Sequence, residues 1–237
     1  MTTRIDFNTG DDVDVYRDGV IMHPAPEVFY SRGVTANNGN AVSAFGADWK
    51  RNASDYRGAI NDMDDGGVRF ILRRGDMRDA DVSKLRERSE LSGSGFAGPI
   101  SGTYDADFTV TPHTYDSANW SSMVQIITTK YQPLLKVQAR SDRGVITLDG
   151  FLPEFEEVAS IPLLAVGSRN KMHITVSFET GYVHWFVNGA TVYSGVLPGL
   201  AISGHSDDVY FKFGAYREGS VLETTVTDFH DVSFKRR

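Results

Sequence analysis

The side chains best suited to chemistry fall in three separated stretches. Near the C-terminus runs Tyr210-Phe211-Lys212-Phe213-Gly214-Ala215-Tyr216. Successive side chains of a strand point to opposite faces, so Phe211, Phe213 and Ala215 would enter a core. Tyr210, Lys212 and Tyr216 take the other face, with Gly214 leaving a gap between them. Two phenols and an ammonium make a poor core face but a suitable wall for an anionic, hydroxyl-rich ligand. In Leu85–Ser92, alternation puts Arg86, Arg88, Glu90 and Ser92 on one face, and Glu87, Ser89 and Leu91 on the other. That pattern is an edge strand guarded by alternating charge, or a guanidinium pair held by a carboxylate and aimed at an anion. In Trp120–Thr129, Met123, Gln125, Ile127 and Thr129 share a face, with Val124, Ile126 and Thr128 opposite.

The elements that must position these groups read as short strands. Val68–Arg74, Tyr104–Val110, Leu134–Ala139, Val145–Leu148, Met172–Phe178, Tyr182–Val187, Ala190–Tyr193, Val221–Val226 and Asp231–Phe234 are apolar or alternating. Asp64-Asp65-Gly66-Gly67, Ser141-Asp142-Arg143-Gly144 and above all Asn188-Gly189 supply turns between them. His23–Asp65 reads as long loops around short strands, Asp76–Lys84 as a brief helix or loop, and Glu154–Gly167 as a crossing loop. No sustained helical period, repeat or low-complexity linker occurs. The pattern predicts an all-β sandwich, with residues 1–237 forming one domain.

Composition narrows the function. The 237-residue chain is 41% hydrophobic and carries a net charge of -7. It is long enough to bury a substantial core, and its acidity argues against general nucleic-acid binding, which needs a basic surface. No membrane-length apolar run is present, and the start, Met1-Thr2-Thr3-Arg4-Ile5-Asp6, shows no signal peptide. The chain has no cysteine, which excludes disulfides, thiolate chemistry and sulfur-ligated zinc. Asp11, Asp12 and Asp14 lack the glycine and distal glutamate of a calcium loop and read as a solvated turn.

Arg88-Ser89-Glu90-Leu91, Gln125-Ile126-Ile127 and Tyr210–Tyr216, in that order, resemble the three motifs of polysaccharide lyases of the alginate-lyase, glucuronan-lyase and heparinase-like kind, approximately R-S/T-E-L-R, Q-I/V-H and Y-F-K-A/F-G-x-Y. The resemblance extends loosely from Val68 to the end. It implies a concanavalin A-like β-jelly roll of two antiparallel sheets with a concave groove, and β-elimination on an acidic polysaccharide without metal or cofactor. By similarity, Arg88 and Gln125 would neutralise the uronate carboxylate. Tyr216 would be the acid and, in some variants, also the base. Lys212 and Tyr210 would bind the chain, and Glu90 would orient the arginines.

The sequence departs from the pattern at two places. Ile127 stands where the family has a histidine base, and Ser92 where it has a second arginine, for which Arg86 on the same face is a substitute. His113, His173, His184 and His205 are the candidates for a relocated base. The competing expectation is a lyase-derived module that binds glycans without cleaving them, such as a decoration or adhesion protein of a phage virion, contacting other assembly proteins. Either role places the protein outside the cell or on a virion surface. A glycoside hydrolase ranks last, because Glu90 has no acidic partner on the motif strands.

Overall fold

The computed structural model describes residues 3–7, 13–17, 20–22, 36–37, 41–45, 47–53, 60–73, 86–93, 98–115, 120–128, 133–151, 154–218 and 224–237. The first strands are β1 (Thr3–Phe7), β2 (Val13–Arg17), β3 (Val20–Met22), β4 (Ala36–Asn37), β5 (Ala41–Ala44), β6 (Ala47–Ala53) and β7 (Ile60–Asp62). The middle of the chain gives β8 (Val68–Leu72), β9 (Arg86–Gly93), β10 (Gly98–Ile100), β11 (Thr103–Thr114), β12 (Trp120–Thr128), β13 (Pro133–Arg140) and β14 (Val145–Phe151). The remainder are β15 (Phe155–Pro162), β16 (Asn170–Ser177), β17 (Tyr182–Val187), β18 (Ala190–Val196), β19 (His205–Glu218) and β20 (Thr225–Arg236).

Two antiparallel sheets pack face to face. The larger runs β15-β14-β13-β12-β19-β9-β6-β5-β4, with β10 also paired to β19, and the smaller runs β18-β17-β16-β11-β20-β8-β7. Strands β1, β2 and β3 form a separate three-stranded sheet. The architecture is the sandwich expected from the strand pattern, in the jelly-roll form that the resemblance implies. Among the described residues, no helix is long and apolar enough to cross a membrane.

Alternation explains the core. Phe211 and Phe213 of β19 are fully buried. They meet aromatic rings of the facing sheet: Phe213 lies 5.4 Å from Phe70 and 5.3 Å from Phe229, and Phe211 lies 5.4 Å from Phe234, between ring centroids. Such contacts add to the area each ring removes from water. The turn signals hold as well. Asn188 and Gly189 have φ of 51° and 81°, both positive as a type I′ hairpin requires. Gly144 (φ 69°) closes the turn between β13 and β14.

Three expectations are corrected. Residues Phe155–Pro162, expected within a crossing loop, form edge strand β15, whose exposed and half-buried side chains give a weak apolar signal. The expected pair of C-terminal strands is one strand, β20, in which the register against β11 shifts beside Asp231. Asp231 has φ 53°, and this bulge lets Phe229, Val232 and Phe234 all reach the core. Met123 lies in the core rather than beside Gln125, because the register shifts between Ser122 and Val124 against both neighbouring strands. Asp11, Asp12, Asp76–Lys84 and Val221–Glu223 lie outside the described residues.

A charged pair sits inside the sandwich. Arg217 of β19 and Glu87 of β9 are register partners on the core-facing side. Their side chains are 0% exposed and joined by a 2.6 Å ion pair from Nε to Oε2. Removing one partner takes the counter-charge from the other in low dielectric, whereas replacing both with apolar groups is far less costly. Glu87→Ala is therefore expected to lower unfolding free energy by about 3–5 kcal/mol in urea titrations, with Glu87→Met/Arg217→Met recovering most of it. A loss below about 1 kcal/mol for the single variant would contradict the buried-pair reading.

Candidate functional site

The three motif stretches become adjacent strands. β19 lies between β12 and β9, and the register aligns their polar faces. Lys212 pairs with Gln125 on one side and Ser92 on the other. Tyr216 pairs with Ser122 and Arg88, Gly214 with Glu90, and Tyr210 with Ile127. Because directly opposed residues share a face, Arg88, Glu90, Gln125, Tyr210, Lys212 and Tyr216 form one patch on the side of the sheet away from the aromatic core.

Glu90 is the centre of that patch. Its Oε1 accepts a 2.7 Å hydrogen bond from Gln125 Nε2 and its Oε2 a 3.2 Å bond from Arg88 Nη1. The Arg88 guanidinium also lies over the Tyr216 ring, 4.6 Å from its centroid. Trp120 meets that ring edge-on at 5.6 Å. Glu90 is 2% exposed, Gln125 3%, Arg88 6%, Tyr216 7% and Lys212 8%, so the groups are held in a dry, fixed arrangement. Burial pushes the Tyr210 phenol above its ordinary pKa, Glu90's charge adds to the rise, and Arg88 opposes it. The rise keeps the Tyr210 phenol protonated and able to donate a hydrogen bond.

Gly214 is needed by the backbone as well as by the face. Its φ is 134°, and a Cβ there would stand 2.3 Å from Ser89 O and 2.8 Å from Glu90 Cα. A side chain would push β9 away from β19 at the point where Glu90 is positioned.

The structure brings Arg88, Glu90, Gln125, Tyr210, Lys212 and Tyr216 together. Arg86 stands at the far end of the row, opposite Glu218. It is six residues from Ser92, roughly 20 Å along an extended strand. It does not occupy the position of the missing motif arginine. The register partner of Ser92 on the remaining side is Lys50. The histidines are also placed. His113 and His173 belong to β11 and β16, and His184 to β17, all in the smaller sheet. There His113 Nε2 meets Asp228 Oδ2 at 2.6 Å, and His173 Nδ1 meets Asp107 Oδ1 at 2.7 Å. His205 opens β19 opposite Ile100, eleven residues before Tyr216 and on the order of 35 Å away along the strand. Ile127, half-buried, pairs with Tyr210.

Sequence reasoning missed the extension of the patch over β13, β14 and β15. Gln125 is flanked in register by Lys136 as well as Lys212, and Lys136 faces Asp149 of β14. Burial pushes the Asp149 carboxyl up, opposed by the nearby polar Thr147 and the charge of Lys136. Asp149 also accepts a hydrogen bond from Gln138. Only cross-strand register reveals these neighbours. Among the described residues, no group of three or more histidine, aspartate or glutamate side chains is arranged to hold a metal ion.

Comparison with solved structures places the fold. A family 7 alginate lyase, A1-II', superposes with TM-score 0.60 at 18% identity, covering 75% of this chain and 83% of that one, in a crystal structure with a product. The alginate lyase PA1167 of Pseudomonas aeruginosa gives 0.57 at 20% identity over 78% and 87%. An alginate lyase of a Corynebacterium species gives 0.57 at 14% over 75% and 81%. No protein-family model matches the sequence, and no curated protein matches it by sequence. The chain shares the jelly-roll fold of these polysaccharide lyases.

Gly214→Ala is expected to cost roughly 2 kcal/mol or more of stability, from strained backbone and the clash with β9. It should also displace Glu90, read as lost protection of the Glu90 and Ser89 amides in hydrogen exchange. Unchanged protection and an unchanged urea midpoint would contradict the close-approach role.

Proposed function

We propose that this protein is a polysaccharide lyase that binds a uronic-acid polymer over β9, β19 and β12 and cleaves it by β-elimination. The observation that carries this reading is the Glu90 carboxylate shared by Arg88 and Gln125, with Arg88 held against Tyr216. A guanidinium and a carboxamide fixed by one buried acid are suited to receive a second carboxylate, that of the substrate. Their hydrogen bonds would strengthen as negative charge develops on the uronate at the enolate stage, which is the differential binding that accelerates a reaction.

The proton bookkeeping falls to Tyr216. As phenolate it would take the C5 proton. The C4–C5 double bond forms, the C4–O4 bond breaks, and the phenol returns the proton to the departing O4 oxygen. The net transfer is from C5 to O4, and the phenolate is regenerated. One side chain can perform both transfers only where the C5 hydrogen and O4 lie on the same side of the sugar. Ile127 at the family's base position and the placement of His113, His173 and His184 on the other sheet favour this single-residue route. Lys212 and Tyr210 would bind the chain on the same face. The structural neighbours are alginate lyases, which agrees with an acidic polysaccharide as the ligand.

A second reading is favoured by Ile127 itself: a lyase-derived surface that holds the polymer without cutting it, as an adhesion or decoration module of a virion would. The two readings share the ligand and differ in product. Incubation with alginate, glucuronan or heparin-like chains is expected to raise the ultraviolet absorbance of an unsaturated uronate. Tyr216→Phe should abolish the signal, and Arg88→Ala should reduce the rate about 10²-fold or more. Binding to those polymers with no product from any of them would overturn the lyase and leave the binding module.

A further inference from the structure

We propose a second sugar-binding position beside Tyr216, built from Trp120, Lys136 and Phe155, that takes an acidic pyranose and makes the protein selective for polyuronates over neutral polymers. It rests on the lyase reading and extends it by naming which residues read the charge of a neighbouring sugar.

Trp120 begins β12, Lys136 lies on β13 and Phe155 begins β15, so the three are distant in sequence. The Lys136 ammonium nevertheless stands 5.5 Å from the Trp120 ring centroid and 4.5 Å from that of Phe155. Both rings and the lysine are half-buried, leaving part of each accessible. Trp120 in turn packs edge-on against Tyr216, 5.6 Å between centroids. The cluster therefore adjoins the proposed reacting position directly, on the side of the sheet leading toward β15.

The chemistry matches one repeat of an acidic sugar chain. An aromatic face accepts the C–H face of a pyranose, and an ammonium held over rings by cation–π attraction is fixed in direction. Such an ammonium attracts a carboxylate arriving at the same place. The cation is compact and is one of a row: Lys136 and Lys212 flank Gln125 in register. A polymer bearing a carboxylate on every sugar meets that row with repeated opposite charge, whereas a neutral chain gains only the ring contacts. Asp149, the register partner of Lys136, has its carboxyl pushed up by burial and accepts a hydrogen bond from Gln138.

The test uses the full chain in a Tyr216→Phe background, which prevents turnover. Calorimetric titration compares a mannuronate tetramer with its neutral counterpart, mannotetraose. Lys136→Met keeps the aliphatic stem and removes the charge. It is expected to weaken mannuronate binding about tenfold or more, to leave mannotetraose binding unchanged, and to flatten the salt dependence. Trp120→Ala should weaken both ligands. Unaltered mannuronate affinity in Lys136→Met, at an unaltered melting temperature, would overturn this site and identify Lys136 as packing alone. If the parent protein binds mannuronate and the wild type cleaves its polymer in that case, the lyase reading stands without the subsite. If neither binding nor cleavage of any uronate polymer occurs, both fall.

Discussion

A single buried carboxylate holds the site together. Glu90 is 2% exposed, and a charge removed from water to that extent persists only when paired and hydrogen-bonded. Its partners come from its own strand and from β12, across the intervening β19. The strand order β12-β19-β9 is thus a condition for satisfying the acid. Gly214 is the condition for reaching across β19, since it lets the backbone of β9 approach where any side chain would intrude. Arg88 then serves two masters, the carboxylate at one end and the Tyr216 ring beneath it. Fixing Glu90 fixes the guanidinium, and the guanidinium fixes the phenol.

The opposite sheet explains what the site lacks. Its outward side carries several histidine–aspartate contacts: His113 with Asp228, His173 with Asp107, and His230 with Asp65. Arg69 completes the first of these with a two-pronged contact to Asp228 at 2.6 and 2.7 Å. These imidazoles are committed to aspartate contacts on the smaller sheet, which packs against the sheet that carries Tyr216. Proton transfer in the proposed reaction therefore concentrates on one phenol, and the electrostatic work on Arg88, Gln125 and the lysine row.

Much of this was legible in the residues, and the failures have physical causes. Alternation along Tyr210–Tyr216 separates core rings from polar groups because a strand's period is two, and Asn188-Gly189 marks its turn because both positions need positive φ. The sandwich itself follows from many such short segments. What alternation cannot anticipate is a bulge. At Met123 and at Asp231 the extra residue inverts the inward side, so Met123 enters the core and β20 reads as two pieces. Edge strand β15 was hidden because a strand with little to bury leaves little apolar pattern. The Trp120–Lys136–Phe155 cluster was invisible for a different reason: each member belongs to another strand, and only register brings them together. Likewise, sequence placed Arg86 on the correct face but could not show that it lies at the wrong end of the row for Ser92.

The central claim is that the Glu90-anchored face receives a uronate carboxylate. A crystal structure of the Tyr216→Phe protein with a bound mannuronate tetramer tests it most directly. The account predicts one sugar carboxylate within hydrogen-bond distance of both Arg88 and Gln125, with that sugar's C5 turned toward residue 216. A tetramer bound on the smaller sheet, or lying along β19 with its carboxylates turned away from Arg88 and Gln125, would contradict it.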